Sequence, residues 1–120
     1  MVTGYNRWGD IYKTLKSAGF DVYSPAQHEG ECITPYIVVA VSSVAAIGNF
    51  SSTRNLYDVM VYIPRGSYSM LEDFVESVKQ AMKPLEPGIK PVNYQTPPYY
   101  DDSVKGHMVS IQYSNNRKLV

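Results

Sequence analysis

Few residues in this chain carry side chains suited to metal binding, and their spacing decides what they can do. His28, Glu29, Glu31 and Cys32 fall within the five residues HEGEC. Imidazole, carboxylate and thiolate groups bind metals, but zinc sites follow spacings such as HExxH or paired CxxC, which HEGEC lacks. The only other histidine is His107. We therefore interpret HEGEC as a polar loop and predict no metal site.

The sequence also gives no support for nucleophilic or acid–base catalysis. Cys32 and His107 would form a nucleophile–base pair only if folding joined them, and no activating signature surrounds Cys32. Asp101 and Asp102 are adjacent, so their carboxylates point in different directions and each needs another acid for paired-carboxylate chemistry. We predict no catalytic residue, no cofactor and no enzymatic activity.

The segment PRGSYS stands between an alternating, strand-like segment and an amphipathic helix, which is where phosphate-binding loops lie. A Walker loop needs GxxxxGK[ST], whereas this segment has one glycine and no lysine after it. Arg65 near a helix N-terminus could attract an anion. However, Ser69 and Glu72 form an S-x-x-E capping box, which predicts that side chains satisfy the free amides of the helix. We interpret PRGSYS as a connector.

The elements that position these residues follow from hydrophobic spacing and turn residues. Apolar residues at helical spacing predict one helix that stops at Gly19 and a second that stops at Pro84. Alternating or β-branched segments bounded by turn residues predict strands. These are FDVYSP, TPYIVVAVSS, NLYDVMVYIP, GIKPVNY and residues 108–113. AIGNFSSTRN is predicted to be a long hairpin loop and QTPPYYDD a rigid loop.

The resulting order, α-β-β-β-α-β-β, predicts the fold class. We expect one α+β domain over residues 1–120, with a mostly antiparallel sheet of four to five strands and both helices on one face.

Composition excludes several function classes. Eleven Lys and Arg balance eleven Asp and Glu, so the chain lacks the basic excess by which nucleic-acid-binding domains neutralise phosphates. A single cysteine permits no intrachain disulfide, which suits a reducing compartment. Without a secretory signal or a membrane-spanning segment, we expect a soluble protein made in the cytoplasm. Eleven tyrosines suit either a sheet or a surface that a partner covers.

Six segments spread over roughly residues 5–114 carry a resemblance to a known family. They are IYKTLKSAG, VYSP, TPYIVVAV, YDVMVYIP, LEDFVESVKQAM and HMVSIQYS. In their order and pattern the chain resembles the tail terminator proteins of long-tailed bacteriophages, also called tail completion or minor tail proteins. The family has no catalytic motif. The loop at residues 97–100 has no family counterpart.

The resemblance implies a structural protein of the virion that is made and assembled in the host cytoplasm. Such proteins form a ring, usually a hexamer, on the last ring of tail-tube subunits at the head-proximal end of the tail. They stop tube growth and present a surface to the head-side connector or stopper protein. We therefore expect a homo-oligomer without membrane contacts or sequence-specific nucleic-acid binding, whose ring leaves room for DNA to pass.

The predicted partner contacts lie in the two loops and at an exposed sheet edge, where unpaired backbone groups favour strand pairing. The alternative for each loop is a solvated connection. The residues concerned are Asn49, Phe50, Arg54, Tyr99, Tyr100, Asp101 and Asp102.

Two other functions stay open at the level of sequence. One is another phage neck component, either a stopper or a head–tail joining protein, which shares the small size and the lack of catalytic groups. The other is a small ligand-binding regulatory domain, which would need a pocket with convergent polar groups.

Overall fold

The structure, a computed structural model, describes residues 7–47 and 52–118. Within these residues, two α-helices, six strands and two short 3₁₀ helices follow one another. They are α1 (Trp8–Ser17), β1 (Val22–Tyr23), β2 (Tyr36–Ile47), β3 (Ser52–Pro64), a 3₁₀ helix (Arg65–Met70), α2 (Leu71–Met82), a 3₁₀ helix (Lys83–Leu85), β4 (Lys90–Gln95), β5 (Tyr99–Asp101) and β6 (Gly106–Lys118).

All six strands belong to one sheet of order β1-β2-β3-β6-β4, in which β5 also pairs with β6. β1 runs parallel to β2, and the other pairings are antiparallel. The predicted α+β class is therefore confirmed. The strand count is one higher than the four to five predicted, because the segment QTPPYYDD contains β5 instead of forming only a loop.

The core lies between one face of the sheet and the two helices. Tyr57, Val59, Val61 and Ile63 of β3 alternate inward and are at most 1% exposed. Each such aliphatic side chain contributes about 1.5–3 kcal/mol when it is fully removed from water. The same cluster includes Ile11 and Leu15 of α1, Val75, Val78 and Met82 of α2, and Val109, Ile111 and Tyr113 of β6.

The start of α2 differs from the sequence prediction. Met70 occupies the N-cap position and no side chain caps the helix there, so the capping box predicted from Ser69 and Glu72 is wrong. The physical reason is that the preceding 3₁₀ helix leads directly into α2. The amide of Leu71 already donates to the carbonyl of Tyr68, so this amide needs no side-chain acceptor. The predicted connector between strand and helix is this 3₁₀ helix.

The hairpin between β2 and β3 also differs from the prediction. β2 continues to Ile47 and β3 begins at Ser52, so much of the predicted long loop is strand. Arg54 lies within β3, paired with Ala45 on one side and Asn116 on the other. Asn49 and Phe50 lie outside the described residues. Because β2, β3 and β6 are 12 or 13 residues long, the protein is elongated, with extents of 49 × 26 × 25 Å.

Candidate partner-binding surfaces

Exposed apolar side chains collect at one end of the long axis, which we call the apolar end. There β3 finishes at Pro64, opposite the first residue of β6, Gly106. The loop before β2 is held at the same end because the Cys32 amide donates to the Val104 carbonyl at 2.7 Å. The exposed side chains of the apolar end are Ile33 (77% exposed), Met70 (61%), Tyr99 (56%), Tyr68 (53%) and Tyr100 (39%).

β5 places its two tyrosines on opposite faces of the sheet, as successive strand residues must be. Tyr100 pairs with His107, and their rings contact edge-on with centroids 5.3 Å apart. Tyr68 approaches the same imidazole at 4.7 Å, and His107 Nε2 lies 3.2 Å from the carbonyl oxygen of Arg65. Tyr99 instead pairs with Met108 on the face of the sheet away from the helices.

On that face, Tyr99 begins a row of large side chains that crosses four strands. Met108 lies between Tyr99 and Tyr62, and Tyr62 pairs with Tyr36. The Tyr36 and Tyr62 rings are stacked at 4.7 Å, and His28 stacks on the other side of Tyr36 at 3.9 Å. Burial raises the pKa of Tyr36 and Tyr62 above the ordinary tyrosine value. The hydroxyls of these two tyrosines therefore stay protonated at neutral pH, and the row presents one exposed aromatic side chain, Tyr99, at its edge.

The two predicted acidic contacts beside β5 have different roles. Asp101 accepts hydrogen bonds from the amide and the hydroxyl of Ser103, at 3.0 and 2.6 Å. It thus fixes the turn into β6, as aspartate commonly does. Asp102 lies 3.6 Å from the ammonium of Lys105, and its side chain is 86% exposed. Asp102 therefore pairs with Lys105 but stays accessible to a partner, whereas Asp101 is engaged within its own turn.

The opposite end of the protein is a three-stranded arm, defined as residues 43–47, 52–56 and 114–118. The buried apolar side chains of β3 and β6 stop at Tyr57 and Tyr113, but strand pairing continues to Ser52 and Lys118. Arg54 lies in this arm, about 30 Å from Ile63 at the usual rise of about 3.3 Å per strand residue. Of the predicted contacts that the structure describes, Arg54 therefore lies at one end of the protein and Tyr99, Tyr100, Asp101 and Asp102 lie at the other.

A buried polar cluster lies at the base of the arm. The amide of Arg7 donates to the Tyr57 hydroxyl at 2.7 Å, and that hydroxyl donates to Asn115 Oδ1 at 2.5 Å. The side-chain amide of Asn55 donates to the same oxygen at 3.2 Å. All three side chains are at most 3% exposed. Because buried polar groups are costly without partners, this cluster favours a single orientation of the arm relative to the core.

A groove of about 410 Å³ next to another of about 320 Å³ runs between α2 and the β4 and β6 strands. Val109, Ile111 and Tyr113 lie along it, and charged side chains such as Glu76 and Lys79 form its rim. These two side chains form an ion pair at 3.6 Å. In the described part of the chain, the buried polar atoms without a partner belong to His28 and Asn55. Neither residue lines this groove.

Cys32 and His107, which were first considered for chemistry, each contact other groups. Cys32 is buried, and burial together with the charge of Glu31 raises the pKa of its thiol to about 11. Its Sγ lies 3.5 Å from the carbonyl oxygen of Thr34. His107 contacts Tyr68 and Tyr100 instead. Within residues 7–47 and 52–118, no group of three or more His, Cys, Asp or Glu side chains could hold a metal ion.

Sequence reasoning identified Tyr99 and Tyr100 of the apolar end but missed Ile33, Tyr68 and Met70. The last two belong to the segment that was interpreted as a connector, and the 3₁₀ helix turns both outward. A signal was available, because Tyr68 and Met70 fall outside the inward-facing stripe of α2. Ile33 directly follows Cys32 in the sequence. Ile33 is exposed and Cys32 is buried, and the sequence gives no sign of this difference.

No protein-family model matches the chain, and the comparison with curated proteins finds no match. None of the helices in the described residues has the length and apolar content needed to cross a bilayer.

Proposed function

We propose that this protein is a structural component of a phage virion that caps the head-proximal end of the tail tube as a ring. The ring stops tube polymerisation and presents its other side to the head connector. The family resemblance motivates this function. The observation that carries it is the placement of the apolar end and the arm at opposite ends of a 49 Å long molecule.

A ring that joins two different partners needs two different surfaces on each subunit. The apolar end offers tyrosine and aliphatic side chains, which suit interface cores. The arm offers the polar side chain of Arg54. One surface docks on the last tube ring, and the other faces the connector without recruiting a further tube subunit. Tube growth therefore stops by occupancy of its end.

The direct test is tube growth in vitro, with the tail-tube protein encoded in the same genome. Adding the purified chain is expected to shorten the tubes and to place a ring at one end of each, visible by electron microscopy. The double variant Tyr68→Ser/Tyr99→Ser removes two exposed rings without disturbing the core. It should lose binding to one of the two partners, whereas Lys13→Ser, on the exposed side of α1, should retain both. Unchanged tube lengths with the parent protein would contradict the proposal.

The same assay separates the nearest alternative. Another neck component, a stopper or head–tail joining protein, would leave tube length unchanged but would still be required for tails to join heads.

A ligand-binding domain is a second candidate because of the groove beside α2. Its volume falls within the range of small-molecule sites, about 300–1,000 Å³. At the rim, however, Glu76 and Lys79 are already paired with each other. Neither of the residues with an unpartnered buried polar atom in the described part of the chain lines the groove. Thermal-shift screening of metabolites would favour this candidate if a compound raised the Tm by several degrees and a variant that blocks the groove from its exposed rim, Glu76→Trp, abolished the shift.

A further inference from the structure

The outer edge of β2 lacks a strand partner over most of its length. β1 pairs with β2 only at Ile37 and Val38. The next outward carbonyl, that of Val39, accepts a hydrogen bond from the Trp8 indole at 2.6 Å. Beyond this point no strand in the described part of the chain pairs with residues 40–47 on that side. We call residues 40–47 the open edge.

The chain prevents β1 from covering this edge. After Tyr23, the Ser24 amide donates to Gln27 Oε1 at 2.7 Å and the Gln27 amide donates to the Ser24 carbonyl at 3.1 Å. This turn includes Pro25 and directs the chain away from β2. It leaves a notch of about 470 Å³, lined by Trp8, Gly9, Ser24, Pro25 and Val41. The notch lies where an added strand would meet the end of β1.

Natural edge strands are commonly protected by charged side chains or proline. The open edge has the sequence AVSSVAAI, which contains neither. A bulge between Val41 and Ser43 is its one irregularity. Because β3 pairs with the other side of β2, about every second residue of the open edge directs its amide and carbonyl outward, and these groups form a template for strand addition.

A second edge without a strand partner lies on the other side of the arm. It lies at the same position along the strands as the open edge. β4 pairs with β6 only as far as Ser114, so residues 115–118 have no strand on that side among the described residues. Arg54 pairs with both Ala45 and Asn116, which places these two residues level with each other. Since β2 and β6 are each antiparallel to β3, they run in the same direction.

We propose that the partner of the open edge is a second copy of this chain, whose residues 115–118 pair with β2 in parallel. This inference rests on the proposed ring function and assigns its subunit contact. The contact is heterologous, because it joins two different edges, and its repetition around a rotation axis can close a ring. Each copy contributes the three strands of its arm to this ring.

Hydrogen exchange of the full chain tests the strand pairing without depending on its register. The protein is diluted in steps, and native mass spectrometry shows at which concentrations it is a monomer and at which it is assembled. Amides of residues 40–47 and 115–118 are expected to exchange at least about tenfold more slowly in the assembled form. Amides of α2 should be unaffected. Assembly with unchanged exchange at the open edge would overturn the strand pairing and leave the ring itself standing.

Two cysteine variants identify which edges meet. Copies carrying Ala45→Cys are mixed with copies carrying Asn116→Cys, oxidised, and alkylated before denaturation. A disulfide-linked dimer is expected in the mixture and not in either preparation alone. A dimer from Ala45→Cys alone would show that β2 meets β2, which would overturn the assignment.

A charge on the edge provides an independent test. Val41→Lys, at the notch, is expected to weaken assembly by about tenfold or more. Ser77→Lys places the same charge on the exposed side of α2 and should leave assembly unchanged. A protein that stays monomeric at every soluble concentration and on tube ends would overturn both the ring and this contact.

Discussion

At the scale of single residues, the groups that looked most capable of chemistry serve the fold. The amide of Cys32 donates a hydrogen bond to the carbonyl of Val104, and the Cys32 side chain packs on Gly106. Asp101 organises a turn. Tyr57, which alternation assigned simply to the core face, also holds a polar cluster through its hydroxyl. Each of these roles makes a specific prediction.

The Cys32 thiol should react slowly in the native protein. Its pKa of about 11, against an ordinary value of 9.0, lowers the thiolate fraction near pH 8 about 100-fold. Burial slows the reaction further. Labelling with a thiol reagent at pH 8 should therefore be at least about 100-fold faster after denaturation. Rapid labelling of the native protein would instead indicate an activated thiol and favour an enzyme.

The raised pKa also predicts a pH dependence of stability. Because the unfolded thiol loses its proton at lower pH than the folded one, its contribution to stability is complete below about pH 9 and is lost towards pH 11. Cys32→Ala should therefore reduce the fall in unfolding free energy over this range. Equal slopes for the two proteins, by urea denaturation at each pH, would contradict the assignment.

Gly106 is predicted to be intolerant of a side chain. A Cβ there would lie 2.9 Å from the Cys32 Cβ and 3.0 Å from the Ile63 carbonyl oxygen. Gly106→Ala should thus destabilise the protein by about 1–3 kcal/mol through overpacking. Gly66→Ala is the matched control, since a Cβ there meets nothing within 4 Å. Equal unfolding free energies for the two variants would show that β6 does not approach Cys32 as described.

Tyr57→Phe should reveal the polar cluster at the base of the arm. The change removes one oxygen and leaves the Arg7 amide without this acceptor, so we expect a loss of about 1–2 kcal/mol in unfolding free energy. Tyr99→Phe removes the same atom from an exposed ring and should change stability by less than about 0.5 kcal/mol. Similar values for both variants would exclude a stabilising role for the buried hydroxyl.

At the scale of elements, the sequence predicted what local periodicity controls. Both helices and the alternating strands β3 and β6 were identified because their apolar spacing matches the face that packs on the core. β5 was missed because three residues carry no periodic signal, and its pairing with β6 is a long-range choice. The hairpin was misjudged for the same reason. Its glycine, asparagine and serine content indicates a loop, but pairing with β6 keeps β3 extended from Ser52 onward.

The packing of α2 against the sheet can be tested within one helix. Met82 is 1% exposed in the core, and Met82→Ala should cost about 2–5 kcal/mol of unfolding free energy. Gln80, on the exposed side of α2, should tolerate alanine within about 0.5 kcal/mol. Urea denaturation of the two variants checks the assignment. A small effect at Met82 would mean that this face of α2 is not buried.

At the scale of the whole molecule, the feature on which the proposed function rests is the separation of two surfaces. The sequence supplied members of both, namely Tyr99 and Tyr100 at the apolar end and Arg54 in the arm. It did not place them at opposite ends, because that arrangement depends on the register of three long strands. The apolar end also includes Ile33, Tyr68 and Met70. They could be identified only from the fold, because the fold determines which side chains are exposed. All the predicted partner contacts stay predictions, and Asn49 and Phe50 also lie outside the described residues.

The most direct test of the capping function is to disrupt this reading frame in the genome that carries it and to image the lysates by electron microscopy. We predict tails of uncontrolled length beside DNA-filled heads without tails, restored to normal by supplying the protein in trans. Normal-length tails that fail to join heads would instead assign the protein to another part of the neck. Normal infectious particles would contradict a structural role in the virion.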